Sequence, residues 1–276
     1  GVERVYNQIL TGIDGQKRVI VDSRGREVKL LDTIEPIPGN DLRLTVDLDI
    51  QRAAENAFQE KAGSAVALDP RNGEILCLVS RPAFDPNSFA SRISKTEWDD
   101  LISDPKKPMQ NRAIQSRFPP GSVFKVIMTI AGLREGILTP EYSDSCSGST
   151  VLYGRPFHCW KKGGHGRVAL HEAIVNSCNV FFYHVGQKLG IDKIAYYATQ
   201  MGLGQKTGID LPGEDTGLIP SPEWKKKVLK ADWYLGETIS VAIGQGYVAL
   251  TLIQTARAFG GFGVGGILHT PHTVSS

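Results

Sequence analysis

The sequence predicts an α+β fold, a block of helices packed on an antiparallel sheet with a small β-rich appendage at the N-terminus. Three observations carry this. Apolar residues alternate with period two in the early part of the chain; they recur at helical spacing through most of the rest; and glycines close several of the helical runs. Strands followed by a long helical stretch exclude the alternating pattern of a parallel α/β sheet.

At 276 residues, with 41% hydrophobic and 22% charged residues, the chain can bury a sizeable core, which suits one large domain and a smaller appendage. A net charge of +2 supplies no basic stripe, so no nucleic-acid partner is expected. No run of about 18 apolar residues and no signal peptide is present.

Taken in order, KRVIVD (17–22) and REVKLL (26–31) flank Ser23-Arg24-Gly25 as a hairpin, so residues 1–45 read as the appendage. After Leu42–Val46, Asp47 or Asp49 caps a helix from Ile50 to about Ala62, which opens the main domain, residues 46–276. Ala65–Leu68 and Ile75–Val79 surround the turn-forming Asp69–Gly73 as two strands of a central sheet. Ser94 and Glu97 form a capping box ahead of Trp98 and Leu101. Helical spacing then covers 122–134, 169–176, 179–189, 191–201 and 250–259, with Gly136, Gly190, Gly202 and Gly260 as stops.

The chemistry concentrates at Phe118-Pro119-Pro120-Gly121-Ser122-Val123-Phe124-Lys125. After Lys125 every residue to Leu133 is apolar or small, so this helix is buried on nearly all sides. Ser122 falls in its first turn, with Lys125 three positions later on the same face. Desolvation lowers the pKa of such a lysine, so a neutral amine can take the serine proton, and the helix N-terminus favours the alkoxide. An N-cap serine beside a solvated lysine is the commoner meaning of a bare S-x-x-K; a lysine heading an apolar helix is costly without a task. Further on, Ser177-Cys178-Asn179 joins two helical runs. Ser177 and Asn179 can point into one cleft, the first to relay a proton and the second to hold a substrate amide.

Together these elements resemble the class B penicillin-binding proteins, most closely the elongation type, penicillin-binding protein 2. The likeness runs along nearly the whole chain: Thr45–Gln51, Ala67-Leu68-Asp69-Pro70 with Gly73-Glu74-Ile75-Leu76, Phe84-Asp85-Pro86-Asn87, Asn111-Arg112-Ala113, Thr207–Glu214 and Ile243-Gly244-Gln245-Gly246-Tyr247. The resemblance implies a penicillin-binding/serine β-lactamase-like transpeptidase domain. It also implies a cofactor-free reaction that cross-links peptidoglycan stem peptides in cell-wall elongation: Ser122 attacks the D-Ala-D-Ala carbonyl, D-Ala leaves, and a second stem amine resolves the acyl-enzyme. β-Lactams would trap Ser122. The expected partners are a membrane glycan polymerase, docking through the appendage, and other elongation-complex proteins. The expected location is the periplasmic face of the inner membrane, with the single-span anchor outside this chain.

The family's third element is K-[ST]-G on a strand lining the cleft. Lys206-Thr207-Gly208 spells it, but it lies only 27 residues after Asn179 and ahead of Ile243-Gly244-Gln245-Gly246, the wrong side of that landmark. The true element is expected beyond Ser276, and an upstream segment before Gly1, making the chain truncated at both ends and its pedestal-like appendage a remnant. Loss of one oxyanion-hole donor costs about 100-fold to 1000-fold in rate, so impaired turnover is expected of the chain alone.

Cys77 sits in an apolar strand as a core residue. Cys146, Cys159 and Cys178 cluster with His158, His165 and His171 in a glycine-rich stretch. Cys146, Cys159, His165 and Cys178 are chemically complete for a structural zinc, which would brace the Ser177–Asn179 corner. A Cys146–Cys159 disulfide and plain reduced thiols are the alternatives. The resemblance favours metal, since some elongation-type members place ligands in this loop. Within enzymes, a β-lactamase needs a second base, and no Glu is followed four residues on by Asn after Asn179: Glu214 meets Leu218, and Glu223 meets Lys227. A D,D-carboxypeptidase and a penicillin-sensing or scaffolding module without turnover are the remaining alternatives.

Overall fold

A computed structural model describes residues 1–90 and 93–275; the expected domain end at Ser276 lies outside them. The appendage holds two helical turns, α1 (Val2–Val5) and α2 (Asn7–Leu10), and the hairpin of β1 (Gln16–Val21) and β2 (Glu27–Ile34). Asp22 builds the turn, its Oδ1 accepting from the N–H groups of Arg24 and Arg26, while Gly25 takes φ +77°. No residue of these four elements is buried. Tyr6 ties them to the main domain: its Oη donates to Asp210 Oδ2 at 2.8 Å, and burial with that acceptor pushes its pKa up to about 12.

In the main domain α3 (Leu48–Phe58) is capped by Asp47, whose side chain accepts from Asp49 and Ile50 N–H, which decides between the two candidate caps; the helix begins and ends earlier than its spacing implied. β3 (Gly63–Leu68) pairs with β4 (Ile75–Arg81). The expected central sheet is narrower than its sequence suggests: among the described residues every sheet has two strands, and only isolated bridges, Glu74 to His272 and Leu44 to Val274, add to this one. α4 (Lys95–Ser103) starts at the Ser94–Glu97 capping box, and α5 (Arg112–Gln115) is one turn capped by Asn111.

The helical block follows. α6 (Phe124–Arg134) is buried along most of its length, from Phe124 and Lys125 to Ala131 and Gly132. Beyond it, β5 (Ser143–Cys146) pairs with β8 (Gly166–Ala169) and β6 (Ser149–Leu152) with β7 (Arg155–His158), a pair nested inside a pair. α7 (Leu170–Val175) leads to α8 (Asn179–Gln200), which breaks at Gly190, φ +73°, as the two separate helical spacings require. α9 (Pro222–Leu229), α10 (Leu235–Val241) and α11 (Leu252–Gly263) complete it. Gly260 does not stop α11. It packs there: a Cβ at Gly260 would lie 3.0 Å from Pro70 Cβ, so the helix needs a small residue against the loop after β3.

The core lies between α6, α8 and α10, where Phe124, Ile127, Met128, Phe181, Phe182, Val185, Ile239 and Ala242 are essentially inaccessible. Each large side chain there contributes roughly 1.5–3 kcal/mol through burial. Gly186 lets α8 approach α10, since a Cβ would stand 2.5 Å from that of Ala242. This packing fixes the start of α6 against the start of α8, the two helix ends that carry Ser122, Lys125 and Asn179.

Candidate active site

Ser122 stands in a tight helical turn, Gly121–Val123, that feeds α6. Two prolines set its entry, and Gly121 takes φ +57°. Gly121 N–H donates to Gly244 O at 2.9 Å. Gly244, at φ +70°, must be glycine: a Cβ would lie 2.1 Å from Gly121 O. The stretch Ile243–Gly246 is thus the backing of the nucleophile turn, which is why its two glycines sit where they do.

Lys125 lies three residues on, 2% exposed. Its Nζ is 3.3 Å from Ser122 Oγ, 2.8 Å from both Ser177 Oγ and Ser177 O, and 2.6 Å from Asn179 Oδ1. Ser177 Oγ donates to Ser122 Oγ at 2.7 Å. The four residues named from sequence therefore form one closed hydrogen-bonded group. Burial lowers the Lys125 pKa to about 8, partly offset by negative charge on the Cys159 and Cys178 sulfurs. Ser177 closes the group from the corner between α7 and α8 in a left-handed conformation, φ +50°, rare for a residue other than glycine.

A cavity of about 440 Å³ opens over this group, lined by Ser122, Ser177, Asn179, Trp160, Ile243 and Gln245. Trp160 and Gln245 were not named as site residues from sequence. Gln245 was legible in principle, lying between two glycines that bend its backbone toward the nucleophile; Trp160 carries no local signal.

Lys206-Thr207-Gly208 lies elsewhere. Thr207 is buried, its N–H and hydroxyl both donating to Glu214, and Gly208 N–H donates to the other oxygen of that carboxylate. Those polar groups are spent on a turn and do not line the cavity.

Cys146, Cys159, His165 and Cys178 converge behind the α7–α8 corner, with donor atoms all within 4.8 Å of one another. The set fits a tetrahedral zinc: Zn–S bonds of about 2.3 Å place sulfur neighbours about 3.8 Å apart, inside the 4.8 Å that bounds the donor distances here. Two further observations agree with that donor chemistry. His165 Nε2 is buried without a hydrogen-bond partner, and all four cysteines are free thiols. Burial raises the Cys159 thiol pKa, but N–H groups of Lys161, Asn179 and Val180 outweigh it and pull the net value down, toward the thiolate a metal requires; at Cys178 burial wins and pushes the thiol up to about 12, so a metal would have to draw that proton off. Cys178 lies between Ser177 and Asn179, so the cluster abuts the catalytic candidates.

With this geometry in place, comparison with known proteins decides the family. The penicillin binding protein transpeptidase domain matches residues 63–276, and the penicillin-binding protein dimerisation domain matches residues 1–44. The chain belongs to the penicillin-binding protein transpeptidase family. Among curated members it is 42% identical to the peptidoglycan D,D-transpeptidase MrdA of Acinetobacter baumannii over 94% of its length, and it spans 39% of that protein. Two solved structures of family members superpose along 99% of the chain. One is the complex between penicillin-binding protein PBP2 and MreC from Helicobacter pylori, with a TM-score of 0.91, 34% identity and 51% of that chain covered. The other, described as structural coordination of polymerization and crosslinking by a peptidoglycan synthase complex, gives a TM-score of 0.89 at 38% identity over 50% of that chain. The penicillin-binding transpeptidase fold read from the sequence is the fold observed. The chain spans about two fifths to one half of the relatives it matches, and no helix among the described residues is long and apolar enough to cross a membrane.

Proposed function

We propose that the protein is a serine peptidoglycan D,D-transpeptidase that cross-links stem peptides during cell-wall elongation. The observation that carries this is the closed group of Ser122, Lys125 and Ser177, a nucleophile within reach of a buried amine both directly and through a second hydroxyl.

The neutral Lys125 amine takes the Ser122 proton, directly or through Ser177, as Oγ bonds to the carbonyl carbon of the penultimate D-Ala. Ser122 N–H donates to the developing oxyanion. The C–N bond breaks, and the departing terminal D-Ala receives the proton through Ser177. Asn179 holds the substrate amide while orienting the lysine. A second stem's amine then attacks the ester, giving its proton to Lys125 and thence to Ser122 Oγ as the Oγ–C bond breaks. β-Lactams, which mimic the dipeptide, acylate the same oxygen.

Cys146, Cys159, His165 and Cys178 would hold a zinc ion that cross-links the loop of β5–β8 to the start of α8 and takes no part in the proton transfers. Residues 1–45, nearly all of which match the penicillin-binding protein dimerisation domain, would form part of the pedestal. That relatives are solved with MreC and as a peptidoglycan synthase complex supports association with elongation proteins and a glycan polymerase; on this reading they dock through residues 1–45 on the periplasmic side of the membrane. Cross-linking tests the proposal: with glycan strands supplied by a polymerase, the wild-type protein should yield dimeric stem peptides and release D-Ala, and Ser122→Ala should yield none. Hydrolysis without dimers would favour a carboxypeptidase instead.

A further inference from the structure

The left-handed turn at Ser177 is the most demanding backbone position in the site, because Ser177 contributes both its hydroxyl and its carbonyl to Lys125. A β-carbon disfavours that conformation, so something must hold it. The corner's own backbone supplies part: Ser177 N–H donates to Ile174 O and Cys178 N–H to Ala173 O. These bonds close α7 before the carbonyl of Ser177 is reached.

What reaches that carbonyl is Trp160. Its Nε1–H lies 3.1 Å from Asn176 O and 3.1 Å from Ser177 O, a donor shared between the two carbonyls on either side of the strained residue. The indole is otherwise unusually open, 63% exposed, and forms one wall of the cavity above Ser122. An indole left that exposed while its only polar atom turns inward is arranged for the bond, since burial gains it little. Its ring meets His165 edge-on with centroids 5.3 Å apart, and it follows Cys159 in sequence. The donor is therefore carried by the same loop that the cysteine and histidine cluster anchors.

We propose that Trp160 is a positioning residue: its indole N–H latches the Asn176 and Ser177 carbonyls, holding Ser177 in the left-handed conformation that aligns its hydroxyl between Ser122 and Lys125. The inference rests on the acyl-enzyme reading of Ser122. Trp160 touches no reacting atom in this account; it acts through Ser177. It also shares the Ser177 carbonyl with Lys125 Nζ, so losing the latch both loosens the turn and changes what the lysine is bonded to.

The test separates the N–H from the ring. In the intact protein, Trp160 is replaced by 3-benzothienylalanine, which keeps the shape of indole and puts sulfur where the N–H was, and separately by Phe and Ala. With a chromogenic β-lactam, the dissociation constant of the non-covalent complex and the first-order acylation constant are measured separately. Hydrogen exchange of the 176–178 amides is followed alongside. The latch predicts, for the benzothienyl variant, acylation slowed by at least about tenfold, a dissociation constant within about twofold, an unchanged melting temperature and faster exchange at 176–178. Acylation and exchange at wild-type values in that variant overturn the proposal, even if Trp160→Ala is impaired, because Trp160 is then only a wall. If wild-type protein is not acylated, the Ser122 reading fails, while exchange at 176–178 still decides the latch.

Discussion

The hydroxyl of Ser177 stands 2.7 Å from that of Ser122 and 2.8 Å from the amine of Lys125, so it bridges a nucleophile and base that are themselves 3.3 Å apart. Each step of the bridge is shorter than the direct transfer. Removing it tests how much of the transfer it carries: Ser177→Ala should slow acylation by roughly 100-fold, within the range for a positioned proton-transfer group, and leave the melting temperature nearly unchanged. Stopped-flow acylation with a reporter β-lactam measures the first, and a thermal scan the second.

Lys125 predicts a pH dependence. Burial lowers its pKa to about 8, and only the neutral amine accepts a proton, so the acylation rate should climb with pH through about 8 and then level. Stability moves the same way. Between about pH 8 and the unfolded lysine value of about 10.5 the unfolded chain binds the extra proton, so this group's contribution rises with pH over that window and is lost as pH falls through about 8. Lys125→Met should abolish the rate dependence and flatten this part of the stability profile, as pH-series acylation and urea melts would report.

The nucleophile turn has a separate vulnerability. Gly244→Ala puts a methyl group 2.1 Å from Gly121 O at a φ of +70°, so the turn must shift. The expected cost is about 1–3 kcal/mol in stability, with acylation slowed at saturating β-lactam. Gly154→Ala, also at positive φ but with nothing within 4 Å of the new methyl, should cost less and leave acylation unchanged. Denaturant melts and acylation of the two variants make the comparison.

Much of this site was legible in the sequence because its motifs are local. Ser122 and Lys125 are one helical turn apart, and Ser177 and Asn179 flank a single corner. The helix cap, narrowed to Asp47 or Asp49, the Ser94–Glu97 box and the helix break at Gly190 were equally local. Strands β5 to β8 were not visible, since each is four residues long and too short for alternation to register against the glycines around it. α9 carried a readable start, Ser221 accepting from Trp224 N–H with Pro222 in the first turn, but its lysine-rich body hides any apolar stripe. Gly260 misled because a glycine that packs and a glycine that caps look the same in one dimension. Trp160 could not be found at all, since its partners are carbonyls, which every residue has.

Zinc gives a prediction independent of catalysis. Purified protein should contain about one zinc per chain by elemental analysis, and Cys178→Ser should lower that content and the melting temperature by about 2 °C or more, the shift expected of 1 kcal/mol or more in a domain this size. Protein with no metal and a Cys146–Cys159 disulfide by mapping would give the cluster the other role.

The central claim is that Ser122 is an acyl-accepting nucleophile, and intact mass after incubation with a penicillin tests it most directly. The account predicts a gain of one drug mass, located on the peptide bearing Ser122, persisting after free drug is removed, and missing in Ser122→Ala. An adduct on Ser122 that disappears within seconds would make the hydrolase reading the better one, and an adduct that forms equally in Ser122→Ala would contradict the claim itself.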